Sequence, residues 1–280
     1  MREIDVAEVS AAVARLAEES NYRLSPDYMA RLQDVLSAED SDDARPVLED
    51  LWENACVAAE GEAPICQDTG VAVVFLAIGQ DVHLVGGDLS DAVDAGVRCG
   101  YRRGYLRNSV VGDPLSRENT GDNTPAVLHV DVVPGSSIKI WFLPKGAGSE
   151  NMSRSTMLRP ADGRGGVVDF VLETVEAAGA SACPPLVVGV GLGGTFDVAP
   201  LLAKRALLRP LEEENPAEHL AALERDLLAS INALGIGAGG FGGRTTALAV
   251  HVEAHPCHIA SLPVAVNLQC HAHRLGVAEI

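Results

Sequence analysis

APICQDTGVAVVFLAIG, residues 63–79, marks the point where the chain changes character. Upstream, Val6, Val9, Val13 and Leu16 recur at three- and four-residue spacings, the period of an amphipathic helix. Within the stretch, a continuous apolar run from Val71 to Gly79 reads as a buried strand. Cys66 stands at the mouth of that run, after Pro64 and before Gly70, rather than inside it, where a cysteine used for packing would sit.

Working outward, the first 62 residues read as helices. Ser25-Pro26-Asp27 starts a second one, with serine able to cap and proline suited to the first turn, and a third spans about 42–59. Beyond the quoted stretch, VLHVDVV (127–133) and SIKIWFL (137–143) read as strands, and 88–104 and 164–179 as helices. Pro134-Gly135 between the two strands suggests a tight hairpin. ALAVHVEA and LPVAV add strands near the end. The expectation is a mixed α/β fold: one domain over 1–280, with a helical N-terminal segment to about 62 and a mixed-sheet core with flanking helices over 63–280.

Composition narrows the function. The chain has 39 acidic and 21 basic residues among 280, a formal charge of −18, which repels nucleic acid and anionic lipid. No apolar stretch is long enough to span a membrane, and MREIDVAEVS has no apolar signal region, so a cytoplasmic location is expected. The six cysteines form no CxxC pair and are too sparse for a disulfide framework. Cys56 and Cys99 fall in helices and read as small core residues. Cys66, Cys183 and Cys270 each stand at a strand end beside a chain break. Their wide spacing is no local metal signature.

Two glycine clusters, Gly189-Val-Gly191-Leu-Gly193-Gly194 and Gly235-Ile-Gly237-Ala-Gly239-Gly240, match the spacing of a dinucleotide-binding turn. Neither begins a clear βαβ unit. Either could cradle a phosphate or carboxylate with main-chain N–H groups, or simply allow close backbone packing.

APICQDTG, NTGDNTPAVLH (119–129), KGAGSENMS (145–153), ACPPLVVGVGLGGT (182–195), GIGAGGFGG (235–243) and CHIASLPVAVNLQCHAHR (257–274) together resemble the class I, iron–sulfur-dependent fumarate hydratases and L(+)-tartrate dehydratases. The similarity runs from about residue 10 onward, and the length resembles the separate alpha subunit of two-subunit members. The resemblance implies that Cys66, Cys183 and Cys270 are the thiolate ligands of a [4Fe-4S] cluster with one iron lacking a protein thiolate. An open coordination site suits Lewis-acid chemistry; electron transfer would favour a full ligand set.

The same resemblance implies roles for the neighbouring residues. Asp68 would move protons, with an Asx turn as its plain structural alternative. Gln67 would line the substrate, and Arg107 in YLRNS would grip a carboxylate through its planar fork. His258 would be an active-site histidine, although His255, His271 and His273 offer the same chemistry. Gly146, Ala147 and Gly148 would form a substrate-contacting loop, with alanine where the family often has glycine. The implied activity is reversible hydration of a small dicarboxylate, fumarate/(S)-malate ahead of tartrate, with a beta subunit as partner in a heterodimer or heterotetramer. A dinucleotide-dependent oxidoreductase and a noncatalytic anion-binding subunit are the alternatives from other classes.

Overall fold

The computed structural model describes residues 1–280. In chain order the elements are β1 (Arg2–Asp5), α1 (Val6–Tyr22), α2 (Pro26–Ala38), α3 (Ala44–Gly61), β2 (Val71–Gly79), β3 (Val82–Val85) and α4 (Leu89–Arg103). There follow β4 (Val127–Val133), β5 (Ile138–Lys145), α5 (Ala147–Asn151), β6 (Arg154–Leu158) and α6 (Gly163–Ala178). The chain continues through β7 (Leu186–Gly193), α7 (Val198–Ala206), α8 (Glu218–Ala233), β8 (Ala247–His255), β9 (Leu262–Gln269) and β10 (Gly276–Glu279). The mixed α/β reading and the helical start hold, except that β1 precedes the first helix. No helix is long and apolar enough to cross a membrane.

The chain divides into two compact units, each assembled from separated segments. Unit 1 comprises residues 1–25, 54–147 and 274–280. Its four-stranded sheet has the order β10-β5-β2-β4, with β4 parallel and β5 antiparallel to β2. Ala72, Val74 and Leu76 of β2 turn towards α1 and α4 and pack with Val9, Val13, Leu16, Val93 and Val97. Each of the valine and leucine side chains, fully buried, contributes about 1.5–3 kcal/mol. Val73 and Phe75 on the opposite face are buried too, which is why the run reads as continuously apolar.

Pro134-Gly135 does not close a hairpin, because β2 lies between β4 and β5. The connection crosses the end of β2 instead. Gly79 donates its N–H to Ser137 O (2.9 Å), Gln80 to Val133 O (2.8 Å) and Asp81 to Gly135 O (3.0 Å).

Unit 2 comprises residues 26–53 and 148–273. Its sheet has the order β6-β9-β7-β8, with β7 and β8 parallel and β9 antiparallel to both β7 and β6. Val188 and Val190 pack with Val171 and Val175 of α6 and Leu227 and Ile231 of α8. The alternate residues Gly189 and Gly191 face α7, and a Cβ at either would lie 2.0 Å from a main-chain oxygen, of Ala203 and Ala199 respectively. These glycines lie inside β7 and serve close helix-on-strand packing; they form no dinucleotide turn.

Side chains close the outer edge of β8. Glu224 accepts from Val252 N–H (2.7 Å) and Asn215 donates to Val252 O (2.8 Å). Asn232 accepts from Thr246 and Ala247 N–H (2.8 Å each), and Arg31 Nε donates to Leu248 O (3.3 Å).

Candidate functional site

In unit 1 the site is built on the loop that delivers the chain into β2. Gly70 has φ +76°, and a Cβ there would meet the Lys145 backbone at 2.7 Å, so only glycine lets the loop lie against the end of β5. The Asp68 carboxylate bridges two backbones. Its Oδ1 accepts from Gly70 N–H (3.0 Å), forming an Asx turn, and its Oδ2 accepts from Ala147 N–H (2.8 Å). The turn considered from sequence is therefore present, together with a second contact that brings Asp68 beside Gly146 and Ala147.

Buried polar groups hold this loop from behind. Tyr101 Oη donates to Thr69 O (2.8 Å), Asn123 Nδ2 donates to Gly70 O (3.2 Å), and Asn123 Oδ1 accepts from Ser109 N–H (2.7 Å). Burial, reinforced by the nearby Asp68 charge and opposed by Arg274, pushes the Tyr101 phenol up, so it stays protonated and available as a donor. Arg274, almost wholly buried, donates Nη1 to Asp68 O (2.7 Å) and to Asn21 Oδ1 (2.9 Å).

Thr69 Oγ1 joins the loop to the backbone of Arg107, whose side chain is exposed. Cys66 is half-buried, with its Sγ 3.4 Å from Gln67 Oε1, and Gln67 is exposed. Thus Cys66, Gln67, Asp68, Arg107, Gly146 and Ala147 belong to one connected arrangement. Thr69, Tyr101, Asn123 and Arg274 are the residues that sequence reading missed. Thr69 and Asn123 lie inside quoted motifs and Arg274 ends one, but nothing local signals that Tyr101 reaches the loop.

In unit 2, Cys183 is exposed in the left-handed region (φ +55°, ψ 65°) just before β7. Its carbonyl accepts from His271 N–H (3.0 Å), which sets it beside the segment holding Cys270 at the end of β9. Pro184 O accepts from Gly239 N–H (2.9 Å), so the second glycine cluster supports the Cys183 loop. Gly148 lies in the same unit, where a Cβ would be 3.5 Å from Ser181 O. Glu150, from the same motif, pairs with Lys204 and accepts from Asn267 Nδ2 (2.8 Å), tying the motif to α7 and β9.

His258 stands elsewhere. It is exposed in the connection from β8 to β9, with its Nδ1 accepting from Ala260 N–H (3.1 Å). The eight-residue β9 separates it from Cys270, a strand length of roughly 25 Å. The resemblance implies an active-site role for His258, and the strand sets it at the opposite end of β9 from Cys270. Cys99 is also displaced from expectation: it is exposed on α4, and Cys56 is half-buried, so neither is a core filler.

All six cysteines are free thiols. No group of three or more His, Cys, Asp or Glu side chains is gathered to hold a metal ion. The chemistry of Cys66, Cys183 and Cys270 nonetheless fits an iron–sulfur cluster, which takes soft thiolate ligands from loops. Next to Cys270, fully buried Gln269 leaves both amide heteroatoms without a hydrogen-bond partner, polar capacity uncommitted beside a proposed ligand.

Comparison with known proteins identifies the family. The profile of the fumarate hydratase (Fumerase) family matches residues 10–279. The chain is 43% identical over 278 residues to a protein of Methanocaldococcus jannaschii named putative L(+)-tartrate dehydratase subunit alpha, covering 97% of each. It is 31% identical over 279 residues to the L(+)-tartrate dehydratase subunit alpha of Escherichia coli strain UTI89, covering 98% of this chain and 91% of the other. The corresponding K12 protein is 31% identical over 275 residues, with coverage of 97% and 90%.

Proposed function

The chain belongs to the fumarate hydratase (Fumerase) family of hydro-lyases, and on that premise we propose that it is the alpha subunit of an iron–sulfur enzyme that reversibly adds water to, or removes it from, a small dicarboxylate. Fumarate/(S)-malate is the substrate pair that the family description supports. L(+)-tartrate is the second reading, favoured by the names of relatives aligned over nearly the whole chain. The observation that carries the proposal is this full-length similarity, joined to the Asp68 and Arg107 loops held together by Thr69.

Cys66, Cys183 and Cys270 would hold a [4Fe-4S] cluster, which when bound supplies a Lewis-acidic iron lacking a protein thiolate. Asp68 would exchange the proton that accompanies loss or addition of water. Its fixed orientation between Gly70 N–H and Ala147 N–H keeps the carboxylate from having to reorganise. Arg107 would bind one substrate carboxylate through its fork, and Gln67 with the 146–148 segment would line the substrate. His258, at the far end of β9 from Cys270, is not assigned proton transfer beside that ligand. A beta subunit would complete the enzyme as a heterodimer or heterotetramer.

The test is anaerobic reconstitution with iron and sulfide, in the presence of the co-expressed smaller subunit, followed by assay with (S)-malate, fumarate and L(+)-tartrate. Turnover of one of these pairs supports the proposal and chooses the substrate. A fully iron-loaded pair inactive towards all of them overturns it.

A further inference from the structure

Two buried polar side chains of unit 2 stand near Cys270 with nothing in the chain to bond to. Tyr28, near the start of α2, is wholly buried, and its Oη has no hydrogen-bond partner. Gln269, the last residue of β9, is wholly buried too, with neither amide heteroatom partnered. Leaving a buried donor unbonded costs stability, so each such group calls for a partner from outside the chain.

Ring geometry and strand register place these two groups. Tyr28 stacks on His273, three residues past Cys270, with ring centroids 6.0 Å apart and planes 28° from parallel. Arg31, three residues further along α2, donates to Leu248 O and anchors the helix to the same sheet. Gln269 lies opposite Val187 at the Cys270 end of β9. Burial pushes the Tyr28 phenol well above its ordinary range, and the charge of the Cys270 thiolate adds to the effect. Tyr28 is therefore a protonated donor within the field of a sulfur.

On the cluster assignment made above, we propose that Tyr28 and Gln269 are positioning residues whose O–H and N–H groups donate to sulfur on the Cys270 side of a bound cluster. A thiolate or sulfide can only accept, and these are the acceptors that the two side chains lack. Hydrogen bonds to cluster sulfur favour the more negative, reduced state and so raise the reduction potential. Groups of this kind around a metal ligand also hold it in place against loss of the metal.

A tyrosine kept for packing with its hydroxyl bonded inside the chain would behave in the opposite way, because removing the hydroxyl would weaken the metal-free protein. Here the hydroxyl has no bond to lose until sulfur arrives. Its removal should spare the metal-free chain and weaken only the loaded form.

The experiment compares Tyr28→Phe and Gln269→Leu with the unaltered full chain, metal-free and after anaerobic reconstitution with iron and sulfide. Urea midpoints of the metal-free variants should be unchanged or higher. At equal iron content, each variant should release iron to a chelator about tenfold faster. The reduction equilibrium of the cluster, followed by electron paramagnetic resonance, should move about tenfold towards the oxidised form, about 59 mV for one electron. A folded variant that takes up no cluster while the unaltered chain does so supports the proposal as the limit of faster release. A metal-free Tyr28→Phe protein with a lowered urea midpoint, or loaded variants that match the unaltered chain in potential and iron release, would overturn it. An unaltered chain that takes up no cluster would overturn the cluster assignment itself, and this inference with it.

Discussion

Thr69 grips the Arg107 peptide from both sides, accepting from its N–H at 2.9 Å and donating to its C=O at 3.1 Å through one hydroxyl. Thr69→Val keeps the shape and removes both bonds. Unfolding in urea should show a loss of about 1 kcal/mol, since part-buried peptide groups are left short of partners. If Arg107 binds the substrate carboxylate, KM should also rise with little change in kcat, because the displaced group serves binding. Lower stability with an unchanged KM would detach Arg107 from the substrate.

Asp68→Asn should lower turnover by about 10²–10⁴ at equal iron content, the range for loss of a proton-transfer group. Both carboxylate oxygens accept main-chain N–H groups, and an amide can accept at only one position, so the variant should also be slightly less stable than the unaltered chain. Near-normal turnover measured on iron-matched protein would leave Asp68 as a loop-forming residue.

Serine at Cys66, Cys183 or Cys270 should abolish retention of iron and the visible iron–sulfur absorbance after anaerobic reconstitution. Cys56→Ser and Cys99→Ser should keep both. A Cys183→Ser protein that retains its full iron content would remove that residue from the ligand set.

Gly191→Ala should destabilise the protein by about 1–3 kcal/mol or more, because the new methyl would press on the Ala199 carbonyl and α7 cannot retreat without opening the core. Calorimetric titration of the unaltered chain with nicotinamide dinucleotides should show no binding. Tight binding weakened by Gly191→Ala would reinstate the dinucleotide reading.

His251 gives a pH signature. Burial foremost, with the Arg209 guanidinium adding to it, holds its imidazole down to about 4 against the opposing charges of Glu224 and Asp27. The unfolded chain, with a histidine near 6.5, binds more protons between those two values. The associated stability is therefore whole above about 6.5 and is lost as pH falls towards 4, a change on the order of 3 kcal/mol. His251→Leu should flatten the fall in urea midpoint between about pH 7 and pH 4.5. An identical slope in the variant and the unaltered chain would refute a neutral buried histidine.

The strands and helices around residue 63 were legible because side-chain periodicity is a local property. Pairing order was not: nothing within 127–145 says that β2 will lie between β4 and β5, since that choice depends on a strand some fifty residues earlier. The glycines of β7 show the same limit. Their spacing resembles a phosphate turn, while their reason is a helix whose approach no spacing encodes. The cysteines and Asp68 could be singled out as chemistry at chain breaks. The tyrosine, asparagine and arginine behind them could not, because their partners lie far away in sequence.

The Arg274 bond to Asp68 carries a consequence for biogenesis. The two residues are separated by 206 positions, and β10, which follows Arg274, is the strand that flanks β5. At ribosomal speeds of about 5–20 residues per second, the Asp68 loop exists for on the order of tens of seconds before its guanidinium clasp has been made. Throughout that interval the nascent chain carries Cys66 and a sheet still missing a strand. Maturation of this site is thus timed by translation, and a chaperone or metal-delivery factor acting on it would meet the loop in two successive forms, first unclasped and then clasped.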